Sequence, residues 1–476
     1  MRIAGGISTR NGWDRMPASN SIHHYGLALL ACCCLLSQQV IAQDEYTAPR
    51  IMRYVSALED FSGQTCYGLV LTEHGGIPAT VYNLGGVNRD LCQQATATSS
   101  PAQLKLAFST ADTLAKKAQF PGKFIETLTQ ERLASDIKPP VDITLAQLGN
   151  KQRFIVGIGL NYHEHREETG GESHADLSTD EVLVFPKALV PTGAYVPLQA
   201  GAKAGTYPPR PVLLLDYEVE LAMVLLDDLD LNAPPASYAD FINGVAFFTA
   251  NDVSDREPII LDSVHGYTRG KSHPGYLPTG PWMIHGRHLQ PRTATEGNQI
   301  LDLTLAVEEA AQAGRPARTR RLQSSDTGRM ILGPWQIIRL LVSRHQQGLR
   351  TCMRDADGIP RYTQTPAGII PAGSLVLTGT PGGTAIQAPG LLGKLDLFVR
   401  GGFSPTGARQ QMIEDSEGHI QDSRYLEPGD LVETAITSLG QQQWRISKQT
   451  SLSPYGIDAP GDCHSPLHTS GHSEQK

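Results

Sequence analysis

The stretch from Leu214 to Asp255 constrains this chain most. Its first half sets Tyr217, Val219, Leu221 and Met223 in alternation with Asp216, Glu218, Glu220 and Ala222. A period of two is a strand, so Glu218 and Glu220 point to one face and the apolar set to the other. Two carboxylates side by side repel, and burying them without a partner is costly. A hard divalent cation removes that conflict, because Mg²⁺, Mn²⁺ and Ca²⁺ prefer oxygen ligands. A second apolar run, residues 244–250, delivers Asp252, which can close such a site from a neighbouring strand. Taken alone, the same pattern also describes a solvated strand face with Asp252 ending another strand.

The flanking residues discriminate between the two. Leu215–Ala222 is followed by Ala-Asn-Asp-Val-Ser-Asp-Arg at 250–256, Thr-Arg-Gly-Lys-Ser at 268–272, Leu-Pro-Thr-Gly-Pro-Trp at 277–282, Thr-Gly-Thr-Pro-Gly-Gly at 378–383 and Glu-Pro-Gly-Asp at 427–430. Val156–Glu168, with Asn161-Tyr162 and His165, precedes them. In this order the motifs resemble the fumarylacetoacetate hydrolase family over roughly residues 150–440. The resemblance implies an α/β, β-rich fold, an irregular mixed β-sandwich roll with few helices and a small N-terminal domain. It also implies an enzyme that uses Mg²⁺ or Mn²⁺, with Ca²⁺ as a further candidate, to cleave C–C bonds in β-dicarbonyl or acylpyruvate-type 2-oxo acids. A homodimer is expected.

The resemblance assigns roles residue by residue. Glu218, Glu220 and Asp252 hold the metal. His165 and Glu168, three apart on one helical face, form a His–Glu pair that activates water from a mobile lid. The polar stretch 169–180 would be the end of that lid. Lys271 stabilises developing negative charge, and Arg256 binds a substrate carboxylate or enolate through its planar fork. Lys187 sits near the substrate mouth, and Thr380 contacts substrate. The chain departs from the family at three places: Asp255 replaces a common Ala, Ile259 a Gln that donates to substrate in the hydrolases, and His273-Pro274 a common Phe-Asp. The Ile259 change keeps two other reactions open, decarboxylation and isomerisation of 2-oxo acids, and an exported binding protein with a relic site is a third reading.

The remainder frames this core. With 476 residues the chain holds a large core, and a net charge of −8 leaves no basic footprint for nucleic acid. Residues 1–42 read as a signal peptide: Arg2, Arg10 and Arg15, then an apolar run too short to span a bilayer, then Val40 and Ala42 at a cleavage site. The expected location is periplasmic or secreted. A lipoprotein lipidated at Cys32 is the alternative. Export favours disulfides, with Cys66 paired to Cys92 in one small region and Cys352 and Cys463 as the remainder. Residues 44–145 are expected as a small N-terminal domain with a helix near 100–117, residues 150–445 as the catalytic domain, and 455–476 as a disordered tail. A strand is expected at 301–307 and a helix at 334–343. Arg315, Arg318, Arg320 and Arg321 read as a solvated turn. Residues 345–366 and 385–424, both polar and Gly-rich, read as insertions in the form of long loops.

Overall fold

Val219–Leu225 is buried along its whole length, and the sheet is built outward from it. The computed structural model describes residues 48–94, 98–149, 152–170, 182–201, 211–262, 265–311, 316–355, 358–419 and 424–451. The proposed signal peptide, most of the lid stretch, Arg315, Cys463 and the tail lie outside the described residues. In chain order the strands that place the site are β1 (Arg50–Val55), β2 (Gln64–His74), β3 (Ile77–Asn83), β4 (Ile125–Thr127), β5 (Ile155–Gly159), β6 (Leu183–Lys187), β7 (Leu198–Gly201), β8 (Val219–Leu225), β9 (Val245–Asn251), β10 (Pro278–His285), β11 (Asp302–Glu309), β12 (Arg318–Asp326), β13 (Leu375–Leu377), β14 (Leu431–Ile436) and β15 (Gly440–Ser451).

The fold is mixed α/β and strand-rich, with open sheets. The main sheet runs β4-β3-β2-β1-β10-β9-β8-β13-β5-β6. Strand β8 pairs antiparallel with β9 along its full length and with β13 on its other edge, while β13 and β5 run parallel. A strand paired on both edges and covered on both faces reads as a continuous apolar run, which is why Leu221-Ala222-Met223-Val224-Leu225 loses its alternation. The second sheet, β7-β15-β14-β11-β12, lies on the main one. The buried Trp282 of β10 donates its indole N–H to Ser438 O at 2.9 Å. Buried Gln442 of β15 donates to Thr249 O at 2.8 Å. These polar links fix the two layers at the end of the sheet where the carboxylates emerge.

The described residues of the segment 44–145, 48–94 and 98–145, join this architecture directly. Its strand β1 pairs antiparallel with β10, and its apolar side chains belong to the same core as those of β8 and β9. Helix α1 (Pro101–Lys117) starts on a capping box in which Ser100 and Gln103 satisfy each other's backbone N–H groups, with Pro101 in the first turn. Cys66 of β2 faces Cys92 in an antiparallel register, and the two form a disulfide with a Cα–Cα distance of 4.0 Å.

Further helices are α2 (His163–Glu168), α3 (Arg256–Leu261), α4 (Gly266–Gly270), α5 (Pro334–Gln346), α6 (Leu391–Arg400) and α7 (Pro405–Gly418). Two expectations need correction. The arginine cluster is not a turn: Arg318, Arg320 and Arg321 lie on β12, where Arg318 and Arg320 both pair with Glu309 of β11. Cross-strand ion pairing let a charge-rich segment extend the sheet. The polar stretch 385–424 is no long loop, because α6 and α7 form a helical hairpin there, closed by Arg400 on Asp415 at 2.6 Å.

Candidate metal centre and active site

The period of two puts Glu218 and Glu220 on one face, and the β8–β9 register sets Val219 opposite Asn251. The next backbone bond, Asp252 N to Glu218 O at 2.8 Å, brings the third carboxylate beside the first. Oxygen atoms of Glu218, Glu220 and Asp252 lie within 4.8 Å of one another, and all three side chains are buried.

Three cations converge on them. Lys271 Nζ bridges Glu218 Oε2 at 2.6 Å and Asp252 Oδ2 at 2.9 Å. Lys187 Nζ donates to Asp252 Oδ1 and to Tyr276 O. Arg256 Nε reaches Asp216 Oδ2 at 2.7 Å, and its fork continues to Glu218 Oε1 at 2.5 Å. Sequence reasoning missed the part played by Asp216, although it shares the alternation of Glu218 and Glu220. It is fully buried, and its carboxylate also accepts Ala385 N at 2.8 Å and Ile386 N at 3.1 Å, tying Arg256 to the loop after Gly383.

The compensation is uneven. Burial alone pushes the Glu218 carboxyl up, but Lys271 and then Arg256 outweigh it and hold it down to about 2. Glu220 accepts one backbone bond, from Gly379 N at 2.7 Å. Burial, and then the charges of Asp252 and Glu218, lift it well above the usual carboxylate range. Burial lowers the Lys187 ammonium, and Asp252 offsets this only in part. Burial also opposes the charge on Lys271, yet Asp252 and Glu218 raise it above its ordinary value. A divalent cation fits this donor set. The donors are all carboxylate oxygens, each with spare lone pairs, and Glu220 is the carboxyl whose charge the lysines and arginine compensate least. Loading such a site releases a proton.

His165 and Glu168 lie on α2, as their spacing requires. His165 is buried, its Nδ1 is 3.8 Å from Glu168 Oε2, and that nitrogen has no hydrogen-bond partner among the described residues. The separation exceeds a hydrogen bond, and catalytic contacts in ligand-free sites are often long. The imidazole stands close enough to Glu218 to act on that carboxyl, behind Lys271 and Arg256. Glu168 is fixed from elsewhere: both of its oxygens accept Gly383 N, at 2.7 and 2.9 Å. Gly383 has φ +102°, and a Cβ there would meet Leu322 O at 1.9 Å, so only glycine lets the loop reach the helix. Asn161 pins the start of α2, donating to Leu332 O at 2.9 Å and Thr378 O at 2.7 Å.

Three assignments shift. Arg256, expected on a substrate carboxylate or enolate, spends its fork on Asp216 and Glu218. Lys187 does not stand at a mouth: it ends β6, is 2 % exposed and belongs to the carboxylate cluster. An ammonium at that depth is kept there by Asp252. The Thr380 hydroxyl is committed to the scaffold, donating to Val219 O at 3.0 Å and accepting from Gln323 Nε2 at 2.8 Å. Two of the departures from the family meet in space. Asp255 caps α3 through Glu257 N at 3.1 Å, and its other oxygen is 3.6 Å from His273 Nε2. Each therefore answers the other. Ile259 lies beside Gly270, where a Cβ would come 3.2 Å from its Cγ1, so an aliphatic contact between α3 and α4 stands in place of an amide donor.

Fold and site together define a class of enzymes that gather carboxylates, a lysine and a His–Glu pair at one end of a mixed sheet. The model of the fumarylacetoacetate (FAA) hydrolase C-terminal domain matches residues 154–447, and the chain belongs to that family. A protein of Burkholderia cenocepacia strain HI2424, provisionally named a hydrolase, is 27 % identical over 278 residues, 57 % of this chain and 77 % of its own length. One from Burkholderia multivorans, named in the same way, is 29 % identical over 227 residues, 47 % of this chain and 65 % of that protein. Among solved structures, the fumarylacetoacetate hydrolase of Exiguobacterium antarcticum is similar at 17 % identity and a TM-score of 0.48, covering 84 % of this chain and 100 % of its own. The 5-carboxymethyl-2-hydroxymuconate delta-isomerase of Mycobacterium smegmatis gives 16 % identity and a TM-score of 0.43, covering 84 % and 99 %.

Proposed function

We propose that this chain is a divalent-metal-dependent hydrolase that cleaves a C–C bond in a β-dicarbonyl or acylpyruvate-type 2-oxo acid. The observation that carries this reading is the convergence of three buried carboxylates with Lys271 and the His165–Glu168 pair. Glu218, Glu220 and Asp252 would hold Mg²⁺ or Mn²⁺, which would supply Lewis acidity toward a substrate carbonyl. His165 takes a proton from water at its ring nitrogen, and the water attacks a second carbonyl. Glu168, locked by Gly383, sets the ring orientation and stabilises the imidazolium. The bond between the attacked carbonyl carbon and its neighbour then breaks, Lys271 offsets the charge that builds on the departing carbon fragment, and the His165 imidazolium returns its proton to that carbon. Arg256 and Lys187 hold Glu218, Asp216 and Asp252 in place.

A second reading keeps the metal and dispenses with the water: a decarboxylase or isomerase of 2-oxo acids. Ile259 favours it, because the amide donor of the hydrolases is replaced by an apolar side chain. Turnover of acylpyruvates and oxaloacetate, metal-free and with Mn²⁺, separates the two. Metal-dependent acylpyruvate hydrolysis is the expected result. Release of CO₂ from oxaloacetate that survives His165→Ala, with no acylpyruvate cleavage, would move the assignment to the second reading, and no turnover on any panel member would favour a binding protein. We also propose export. The N-terminal residues motivate it and the Cys66–Cys92 disulfide agrees with it. N-terminal sequencing of the natural protein should begin at Gln43, and an intact Met1 would refute cleavage.

A further inference from the structure

The three cations that hold the carboxylate cluster come from three supports. Arg256 opens α3, Lys271 follows α4, and Lys187 ends β6. A pair of side chains outside the cluster joins all three. Asp255 stands immediately before Arg256, caps α3 through Glu257 N at 3.1 Å, and pairs in a short antiparallel ladder with Leu215, the neighbour of Asp216. Its second oxygen is 3.6 Å from Nε2 of His273, two residues beyond Lys271. The His273 ring lies against Tyr276, with 4.9 Å between centroids. The Tyr276 carbonyl accepts Lys187 Nζ at 3.2 Å, and its hydroxyl accepts Gly201 N at 3.0 Å. Between them, the Ser272 hydroxyl accepts Ala188 N, the residue after Lys187, at 2.9 Å.

The pair occupies a slot shaped for it. Asp255 is 5 % exposed and the His273 side chain 10 %. A Cβ on Gly201 would come 2.6 Å from His273 Nδ1 and 3.1 Å from the Tyr276 hydroxyl, so β7 admits the ring by carrying glycine there. A Cβ on Gly270 would meet Asp255 O at 2.2 Å, which seats Asp255 directly on the end of α4. Among the described residues, neither side chain bonds to Glu218, Glu220 or Asp252. Whatever the pair does to the site, it does through Arg256, Lys271 and Lys187.

We propose, building on the metal-dependent function above, that Asp255 and His273 are a positioning pair for the metal centre. Their contact fixes α3 against the loop 271–276 and so sets where the three cations meet Glu218 and Asp252. Arg256 and Lys271 share Glu218, at 2.5 and 2.6 Å, and charge-assisted bonds this short leave little room for displacement. Loss of one member of the pair leaves the other buried without its partner. Replacing both with apolar groups of similar shape leaves nothing unpaired. The two residues therefore act on the site as a unit.

A double-mutant cycle on the full chain, read by Mn²⁺ calorimetry, tests this. Asp255→Asn keeps an oxygen to cap Glu257 N and removes the charge that faces His273. It and His273→Phe should each weaken Mn²⁺ binding about 10-fold, the low end of the cost of disturbing a ligand's support. Asp255→Ala should lose at least as much alone, yet combined with His273→Phe it should return to within about 3-fold of the parent. On whichever acylpyruvate or oxo acid the parent turns over, kcat should fall about 10-fold in the single variants with KM within about 2-fold, because Lys271 acts on charge that develops in the transition state. Metal-free thermal midpoints keep every measurement below unfolding. A pair with only a structural role would lower those midpoints and leave Mn²⁺ affinity and kcat at the parent's values. That result, or a double variant whose losses are the sum of the single ones, would overturn the proposal. A parent that binds no Mn²⁺ would overturn the metal-dependent function itself, and the proposal with it.

Discussion

Glu220→Gln isolates the charge that the metal centre requires. The amide keeps the shape and an oxygen to accept Gly379 N, now at 2.7 Å, while removing one of three carboxylates whose oxygens lie within 4.8 Å. Two unit charges at that distance repel by about 3.5 kcal/mol at an effective dielectric of ~20. The parent relieves this in part by protonating Glu220, which burial, Asp252 and Glu218 push well above its ordinary range. The metal-free variant should therefore be at least as stable as the parent. The loaded protein should show the opposite. Altering a neighbour of a ligand costs roughly 10- to 100-fold in metal affinity, so losing a ligand should cost at least about 100-fold. A cation at one hundred times its Kd stabilises by about 2.7 kcal/mol, and a site weakened a hundredfold keeps about 0.4 kcal/mol at the same concentration. Calorimetry with and without Mn²⁺ reads both effects. A variant that retains the parent's Mn²⁺-induced rise in Tm, or that is strongly destabilised without metal, would refute the three-carboxylate centre.

Other outcomes follow from the same structure. His165→Ala should leave Mn²⁺ binding intact and lower kcat by roughly 10²–10⁴, the range of general-base catalysis; unchanged kcat on the true substrate would remove the water-activating role. Replacing Cys66 and Cys92 together with alanine opens a loop with a sequence separation of 26. The chain-entropy model puts that at about 3.5 kcal/mol, to be read as a lower guanidinium midpoint and as a smaller response to reductant than the parent's. Burial, and then His288, holds buried His285 down to about 4 from its ordinary 6.5. Its folded-state pKa is depressed, so its contribution is complete above pH 6.5 and is lost as pH falls to about 4, on the order of 3 kcal/mol in all. Urea midpoints across that window should slope less in His285→Gln, and identical slopes would contradict the assignment.

Much of the site was legible because local periodicity determines it. Alternation along 216–223 dictates that Glu218 and Glu220 share a face, and three-residue spacing dictates that His165 and Glu168 share another, whatever the chain packs against. The cysteine pairing was legible too, since both cysteines fall within one small region. Tertiary structure decided the rest. Lys187 became a partner of Asp252 because β6 and β9, far apart in sequence, end at the same depth of one fold. Thr380 was drawn to Val219 and Gln323 because the second sheet needed anchoring there. Asp255 and His273, separately odd in the sequence, explain each other only across 3.6 Å of folded space. The arginines of 318–321 joined a strand because Glu309 stood opposite them. Periodicity fixes the direction in which a side chain leaves its own backbone; which side chain it meets depends on strand order and register, which no short stretch contains.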